Sequence, residues 1–146
     1  MPTIIAAIMM LFATACHKDE SVTPSSSHLE DITLTIDGQS FTAKMEQNST
    51  AEAFRALLPL TLEMQELNGN EKYYYLSQSL PTNRTEVGTI HAGDIMLYGD
   101  NCVVVFYDTF TTSYSYSPIG HITNPEGLGE TLGSGTATVS FAVTNK

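Results

Sequence analysis

Five aromatic side chains lie close together in the second half of the chain, and their rings could line a binding groove. They are Tyr98, Phe106, Phe110, Tyr114 and Tyr116. Aromatic grooves are natural binding sites for proline-rich peptides, because the preformed extended proline helix loses little entropy on docking. The alternative is that rings at alternating strand positions belong to the core. The sequence leaves both interpretations open.

Two polar side chains that flank these rings could donate hydrogen bonds to a bound peptide. Arg84 lies in the segment PTNRTE, and His121 directly follows the aromatic segment. Both side chains carry N–H donors that could stabilise charge on a ligand. We include Arg84 and His121 with the five rings in one hypothetical ligand-binding site, and we assign no catalytic residue.

A metal site has little support in the sequence. His91 and Asp94 in HAGD, with His121 elsewhere, are imaginable ligands, but nothing marks a complete set. Isolated histidines in loops are usually surface groups or hydrogen-bonded to the backbone, and no zinc-ligand pair, phosphate-binding loop or nucleophile elbow occurs. We expect no metal and no cofactor.

The two cysteines have different predicted roles. Cys102 lies in the apolar strand pattern CVVVFY, which predicts a buried, inert thiol. Cys16 follows an apolar run from Ile4 to Phe12 that has the length of a secretory signal and is too short to span a bilayer. The segment ATAC, which ends at Cys16, resembles the lipobox of bacterial lipoproteins, where the thiol receives a diacylglyceryl group. A plain secretory signal or an uncleaved helix is the alternative.

The N-terminal segment divides into a signal peptide at residues 1–15 and a lipidated cysteine with a flexible tether at residues 16–30. The tether is polar, rich in serine and without apolar residues to bury. Lys18, Asp19 and Glu20 are similar to the acidic signal that sends some Gram-negative lipoproteins to the cell surface, and an ordinary solvated linker is the alternative. We expect a bacterial protein of the cell envelope, anchored by lipid at the outer membrane, with periplasmic or surface orientation left open.

The start of the chain carries no Lys or Arg before the apolar run, where a signal peptide normally has one. We therefore expect the true translation start to lie upstream.

Composition favours one compact domain and excludes nucleic acid as a partner. The chain has 146 residues, of which 42% are hydrophobic, and this suits a single domain over residues 31–146. Its formal net charge is −10, from 16 acidic and 6 basic residues, so its field repels phosphate backbones. We expect the membrane to be contacted through the lipid anchor only.

Hydrophobic alternation predicts a mainly β domain. Three β-hairpins are expected at residues 31–45, 60–76 and 95–108, with DG, NGN and DN at their turns. The aromatic segment is expected to form a long ordered loop before a short strand at 120–123, and a flexible glycine-rich loop to precede the last strand. Seven or eight short strands at this spacing predict a closed or nearly closed β-barrel.

One short helix is expected after the first hairpin. Ser49 and Glu52 have the spacing of a capping box, and Phe54, Leu57 and Leu58 recur on one helical face before a proline ends the pattern. Such a short helix must pack on something to persist.

The segment TAEAFRAL within this helix resembles the first helix of cyclophilins. The segments LPLTLEMQELNGNEKYYYL, GDIMLYGDN and FTTSYSYSPIGHI look like the bacterial cyclophilin-like family, and this resemblance covers the chain from about Ile32 onward. It implies a cyclophilin-like closed β-barrel of about eight strands with one short α-helix, closed at its mouths by helical or loop segments.

The resemblance implies an activity whose usual residues are missing. Cyclophilins isomerise prolyl bonds against a barrier of about 20 kcal/mol, and an arginine in an F-H-R motif is held to donate to the prolyl nitrogen. Arg55 matches an arginine that is structural in the family, and Arg84 lacks the flanking motif residues.

Three functions remain open at this stage. The first is a divergent peptidyl-prolyl isomerase that assists exported proteins. The second is a non-catalytic module that binds proline-containing peptides or a small ligand. The third is a structural accessory of an envelope assembly.

Overall fold

The computed structural model describes residues 28–145. The signal peptide, Cys16 and most of the tether therefore lie outside the described residues. Within 28–145 no helix is long and apolar enough to cross a membrane. The elements, in chain order, are β1 (Ile32–Ile36), β2 (Gln39–Met45), α1 (Ser49–Ala56), β3 (Leu60–Leu67), β4 (Glu71–Tyr75), β5 (Thr85–Glu86), β6 (Thr89–Ile90), β7 (Asp94–Tyr98), β8 (Cys102–Phe106), β9 (Phe110–Thr111), β10 (Ser115–Ile122), α2 (Leu128–Leu132) and β11 (Ala137–Val143).

Eight of these strands close into an antiparallel barrel. The order around the wall is β2-β1-β11-β3-β4-β8-β7-β10, and β10 returns to pair with β2. The short strand β5 pairs antiparallel with the start of β10 and is not part of the eight-stranded wall. Strands β6 and β9 pair in a separate two-stranded ribbon. The predicted fold class, a closed barrel of about eight strands, is confirmed.

The three predicted hairpins are present as β1–β2, β3–β4 and β7–β8. The first two turn at Asp37-Gly38 and Asn68-Gly69, where both residues of each pair have positive φ. Two successive left-handed residues give the turn whose twist matches that of the flanking strands. The DG and NG dipeptides therefore fix the register of these hairpins.

Alternate residues of the barrel strands fill its interior. Leu34, Ile95 and Val103 are completely buried there. Phe54 of α1 enters the same cluster and packs edge-on against Phe141, with ring centroids 5.4 Å apart. Because a closed barrel is accessible only at its ends, a helix that buries a side chain in the interior must cover an end.

Helix α1 begins at the predicted place but is capped differently. The side chain of Asn48 is the N-cap and accepts a hydrogen bond from the Ala51 amide at 2.8 Å, so the predicted capping box of Ser49 and Glu52 is wrong. Asn83 supplies a second cap, because its side-chain oxygen accepts from the Thr50 amide at 3.1 Å. The sequence could not indicate a cap that lies 33 residues away.

The glycine-rich segment before the last strand is ordered rather than flexible. It contains the one-turn helix α2, whose Leu128 and Leu132 enter the interior cluster. The completely buried ammonium of Lys72 donates to the carbonyl oxygens of Gly133 at 2.7 Å and Gly135 at 2.6 Å. A buried ammonium needs such acceptors, and they tie this segment to β4.

The aromatic segment also differs from its prediction. The expected loop and short strand at 120–123 are instead the eight-residue strand β10. It pairs with β7 through a register shift between Pro118 and Gly120, and it closes the barrel against β2 through Gly120↔Met45 and Ile122↔Ala43. The shift lets a strand that contains a proline remain in the wall, because a bulge is where a sheet tolerates proline.

Gly120 is the tightest point of this closure. A β carbon at that position would collide with the carbonyl oxygen of Lys44 on β2. Gly120→Ala is expected to lower the free energy of unfolding by about 1–3 kcal/mol, because two hydrogen-bonded strands must separate to admit the methyl group. Gly135→Ala is the matched control, since its β carbon would meet no atom within 4 Å. Urea unfolding of both variants checks this, and equal stabilities would contradict it.

Candidate functional site

Strand β8 is buried on both of its faces. Val103 and Val105 point into the barrel, whereas Cys102, Val104 and Phe106 point outward into a second apolar cluster. Successive side chains on a strand point to opposite faces, so a strand with five buried residues must be covered on its outer side as well.

The outer cluster is built on the wall formed by β4, β8, β7 and β10. Ile90 of the β6–β9 ribbon, Met96 of β7 and Tyr116 of β10 pack there against β8. Phe110 of the same ribbon packs against Phe106 with ring centroids 5.7 Å apart. The ribbon covers only part of this wall, and a groove remains beside it.

This depression, which we call the tyrosine groove, has a volume of about 310 Å³. It is lined by Leu67, Asn68, Glu71, Tyr73, Tyr75, Tyr98, Cys102, Val104, Tyr114 and Tyr116. A second depression adjoins it along Phe110–Ser113 and shares Asn68, Glu71, Tyr114 and Tyr116 with it. The two together form a continuous surface along the outer wall of the barrel.

Exposed apolar surface is concentrated in this groove. Among the described residues, four large hydrophobic side chains are exposed, and all four line it: Leu67 at 41%, Tyr75 at 61%, Tyr98 at 47% and Tyr114 at 62%. Single exposed apolar side chains need no explanation, but a contiguous patch marks a binding surface. The groove is therefore the strongest candidate site on the described part of the chain.

The rings touch one another edge-on or tilted. Tyr98 lies 6.3 Å from Tyr114 and 5.8 Å from Tyr116, and Tyr73 lies 5.8 Å from Tyr75, measured between ring centroids. These are favourable aromatic geometries, so the rings hold one another in place. The rings therefore form one packed surface.

The five aromatic residues singled out in the sequence come together in one network. Tyr98, Tyr114 and Tyr116 line the groove, and Phe110 lines the adjoining depression. Phe106 is completely buried beneath them and packs edge-on against Tyr116 at 5.5 Å. Phe106 and Tyr116 belong to the buried outer cluster, whereas Tyr98 and Tyr114 are exposed above it. The ligand-binding interpretation of the rings stays a prediction.

Arg84 and His121 do not lie in the groove. Arg84 is exposed in the segment before β5, and His121 is exposed on the part of β10 that pairs with Lys44 and Asp94. Neither side chain is among the groups that line either depression. Arg84 directly precedes Thr85, which pairs with Tyr116 on β10, so it lies beside the ring network without lining the groove. The grouping of both donors with the rings stays a prediction.

The second strand of the β3–β4 hairpin supplies residues that the sequence analysis missed. Glu71, Tyr73 and Tyr75 alternate along β4 and all face the groove, whereas Lys72 between them points inward. Period-two alternation within EKYYY places these three residues on one face. What the sequence could not show is that β4 pairs with β8 and so brings them beside Tyr98 and Tyr116.

Glu71 is the only charged side chain that lines the groove. Its pKa is raised, first by desolvation on partial burial and then by the nearby carboxylate of Glu66. The Glu71 carboxylate in turn raises the pKa of two neighbouring groups. Burial and then Glu71 raise the pKa of the Cys102 thiol to about 11 and that of the Tyr116 hydroxyl to about 12.

Binding, rather than nucleophilic chemistry, is what this arrangement favours. With its raised pKa Cys102 stays protonated at neutral pH, and a protonated thiol is a poor nucleophile. The lining includes no Arg, Lys or His, so its hydrogen-bond donors are tyrosine hydroxyls and the Asn68 amide.

His91 and Asp94 form a local turn. The Asp94 carboxylate accepts from the backbone amide of His91 at 2.8 Å and lies 3.8 Å from its ring nitrogen Nδ1. Within residues 28–145, no group of three His, Cys, Asp or Glu side chains is arranged to hold a metal ion.

The fold and the groove define a closed antiparallel β-barrel domain with an aromatic surface on its outer wall. Residues 34–142 match the model of the cyclophilin-like family. The chain belongs to that family, and the resemblance in its sequence is confirmed. No curated protein matches the chain.

Glu71→Gln is expected to stabilise the unliganded protein at pH 7. A folded-state pKa above the ordinary 4.5 means that the fold disfavours the ionised carboxyl. The stability linked to this group is therefore fully present below pH 4.5 and is lost as the pH rises through the folded value. The thermal midpoint of Glu71→Gln should exceed that of the wild type at pH 7, and the difference should shrink at about pH 4.

Glu63→Gln is the matched control, because Glu63 is exposed on β3 outside the groove and its replacement removes the same charge. An equal rise in the midpoint of both variants would attribute the effect to net charge alone and contradict the assignment to Glu71.

Proposed function

We propose that this protein is a lipid-anchored component of the bacterial cell envelope whose barrel binds proline-containing segments of exported proteins in the tyrosine groove. The observation that carries the binding role is the concentration of exposed apolar side chains in that groove. Proline rings pack well on aromatic side chains, and an extended proline-rich segment is preformed for such a surface.

We infer that the barrel binds these segments without isomerising them. Cyclophilins are held to isomerise prolyl bonds with a donor that stabilises the pyramidal prolyl nitrogen in the transition state. No guanidinium, ammonium or imidazole lines the groove, and Arg84 and His121 lie outside it. A tyrosine hydroxyl is a weaker, uncharged donor. The absence of the family's arginine motif from the sequence supports the same inference.

The envelope location rests on the N-terminal sequence. The apolar run, the small residues before Cys16 and the polar segment after it support lipid attachment at that thiol. Metabolic labelling of the native host with radioactive palmitate tests this. Label on the wild-type chain and none on Cys16→Ser is expected, whereas an unlabelled wild-type chain in the membrane-free fraction would contradict it.

Binding can be followed through the protein's own fluorescence. The chain has no Trp, and five of its seven tyrosines line the groove. Titration of the full chain with a serine- and proline-rich decapeptide is expected to give a saturable change that a proline-free twin does not. Tyr98→Ala should weaken binding at least about fivefold, as expected for an aromatic anchor at the centre of an interface.

Two variants make this titration specific to the groove. Tyr98→Phe keeps the ring and should bind within about twofold of the wild type, since stacking does not require the hydroxyl. His121→Ala truncates an exposed side chain of the same barrel outside the groove and should leave binding unchanged. Loss of binding in His121→Ala but not in Tyr98→Ala would place the peptide elsewhere.

A further inference from the structure

Glu71 occupies the junction of the two depressions on the outer wall. It lines both of them, together with Asn68, Tyr114 and Tyr116. A peptide laid along this surface must therefore pass the Glu71 carboxylate. The position makes Glu71 a contact for the occupant rather than a charge at the rim.

Among residues 28–145, no positively charged side chain lines the surface around this carboxylate. Neither depression is lined by Lys, Arg or His. The neighbouring Lys72 points to the opposite face of β4, where Gly133 and Gly135 accept from its ammonium and the Glu66 carboxylate lies 3.7 Å from it. The adjacent carboxylate, that of Glu66, has the same sign as Glu71 and raises its pKa further. An uncompensated, partly desolvated carboxylate is the group that a ligand cation would satisfy.

The walls around Glu71 also favour a cation. Tyr73, Tyr114 and Tyr116 line the groove with it, and tyrosine faces attract ammonium and guanidinium groups. The net charge of −10 extends the same preference to long range, because it attracts cationic segments and repels anionic ones. Local and long-range electrostatics therefore both favour a positively charged ligand.

We propose that the tyrosine groove selects peptide segments in which arginine or lysine adjoins proline, with the basic side chain bound at Glu71. This inference rests on the proposed peptide-binding function and extends it to the class of segment that is bound. The proline ring packs on the tyrosines, and the basic side chain pairs with the carboxylate at the junction. The protein supplies the negative charge and the ligand supplies the cation.

Two synthetic peptides test the preference on the full chain: Gly-Ser-Arg-Pro-Arg-Ser-Gly and its twin Gly-Ser-Gln-Pro-Gln-Ser-Gly, both blocked at their ends. The arginine peptide is expected to bind about tenfold more tightly at about 50 mM salt, since one charge-assisted hydrogen bond or cation–π contact has this magnitude. Arginine on both sides of the proline makes the result independent of the direction in which the peptide lies.

Glu71→Gln should reduce this preference to less than about twofold, because the neutral amide keeps the shape of the side chain but not its charge. Glu63→Gln, with the same change of net charge outside the groove, should retain the preference. Loss of the preference in both variants would make it a property of net charge and overturn the site.

The outcomes separate the inference from the function on which it rests. Equal binding of both peptides would overturn the basic-residue preference and leave peptide binding standing. Binding of neither peptide would overturn both. Tighter binding of the arginine peptide that Tyr98→Ala leaves unchanged would mean that the cation binds outside the groove, and this also contradicts the proposal.

Discussion

The structure depends on the burial of strand β8 on both faces. Its inward residues Val103 and Val105 complete the interior of the barrel, and its outward residues would expose a strip of apolar surface if nothing covered them. Burial of apolar area is the main favourable term in folding, so the segments that cover this strip are positioned by it. The β6–β9 ribbon and Tyr116 are held against β8 for this reason.

The same constraint generates the candidate site. The cover is incomplete, and where it ends the wall presents tyrosines, whose rings bury apolar area while their hydroxyls stay in water. Glu71 belongs to this surface because alternation along β4 directs its side chain outward and that of Lys72 inward. One strand thus places a satisfied cation inside the barrel and an unsatisfied anion in the groove. A carboxylate that opposes folding and remains in the candidate site fits the proposed trade of stability for binding.

The sequence predicted the features that depend on local chemistry. The DG and NGN turns located two hairpins, and the apolar strand pattern CVVVFY indicated that the Cys102 thiol is buried. Features that depend on distant partners were missed. The order of the segment at Gly133 depends on Lys72, which is 61 residues away, and the second cap of α1 comes from Asn83, whereas its N-cap Asn48 is local. Periodicity reports which face a side chain occupies and not which strand lies beside it, so Tyr98 was identified without Tyr73 and Tyr75.

The central claim is that the cyclophilin-like barrel binds peptides in the tyrosine groove but lacks there the donor that cyclophilins are held to use for turnover. Exchange NMR on a proline peptide mixed with the full chain measures binding and isomerisation in one sample. We expect the peptide resonances to shift on addition of protein, while cis and trans forms still interconvert over tens of seconds, as in free peptides. Exchange cross-peaks between the cis and trans resonances at sub-stoichiometric protein would show turnover and contradict this account.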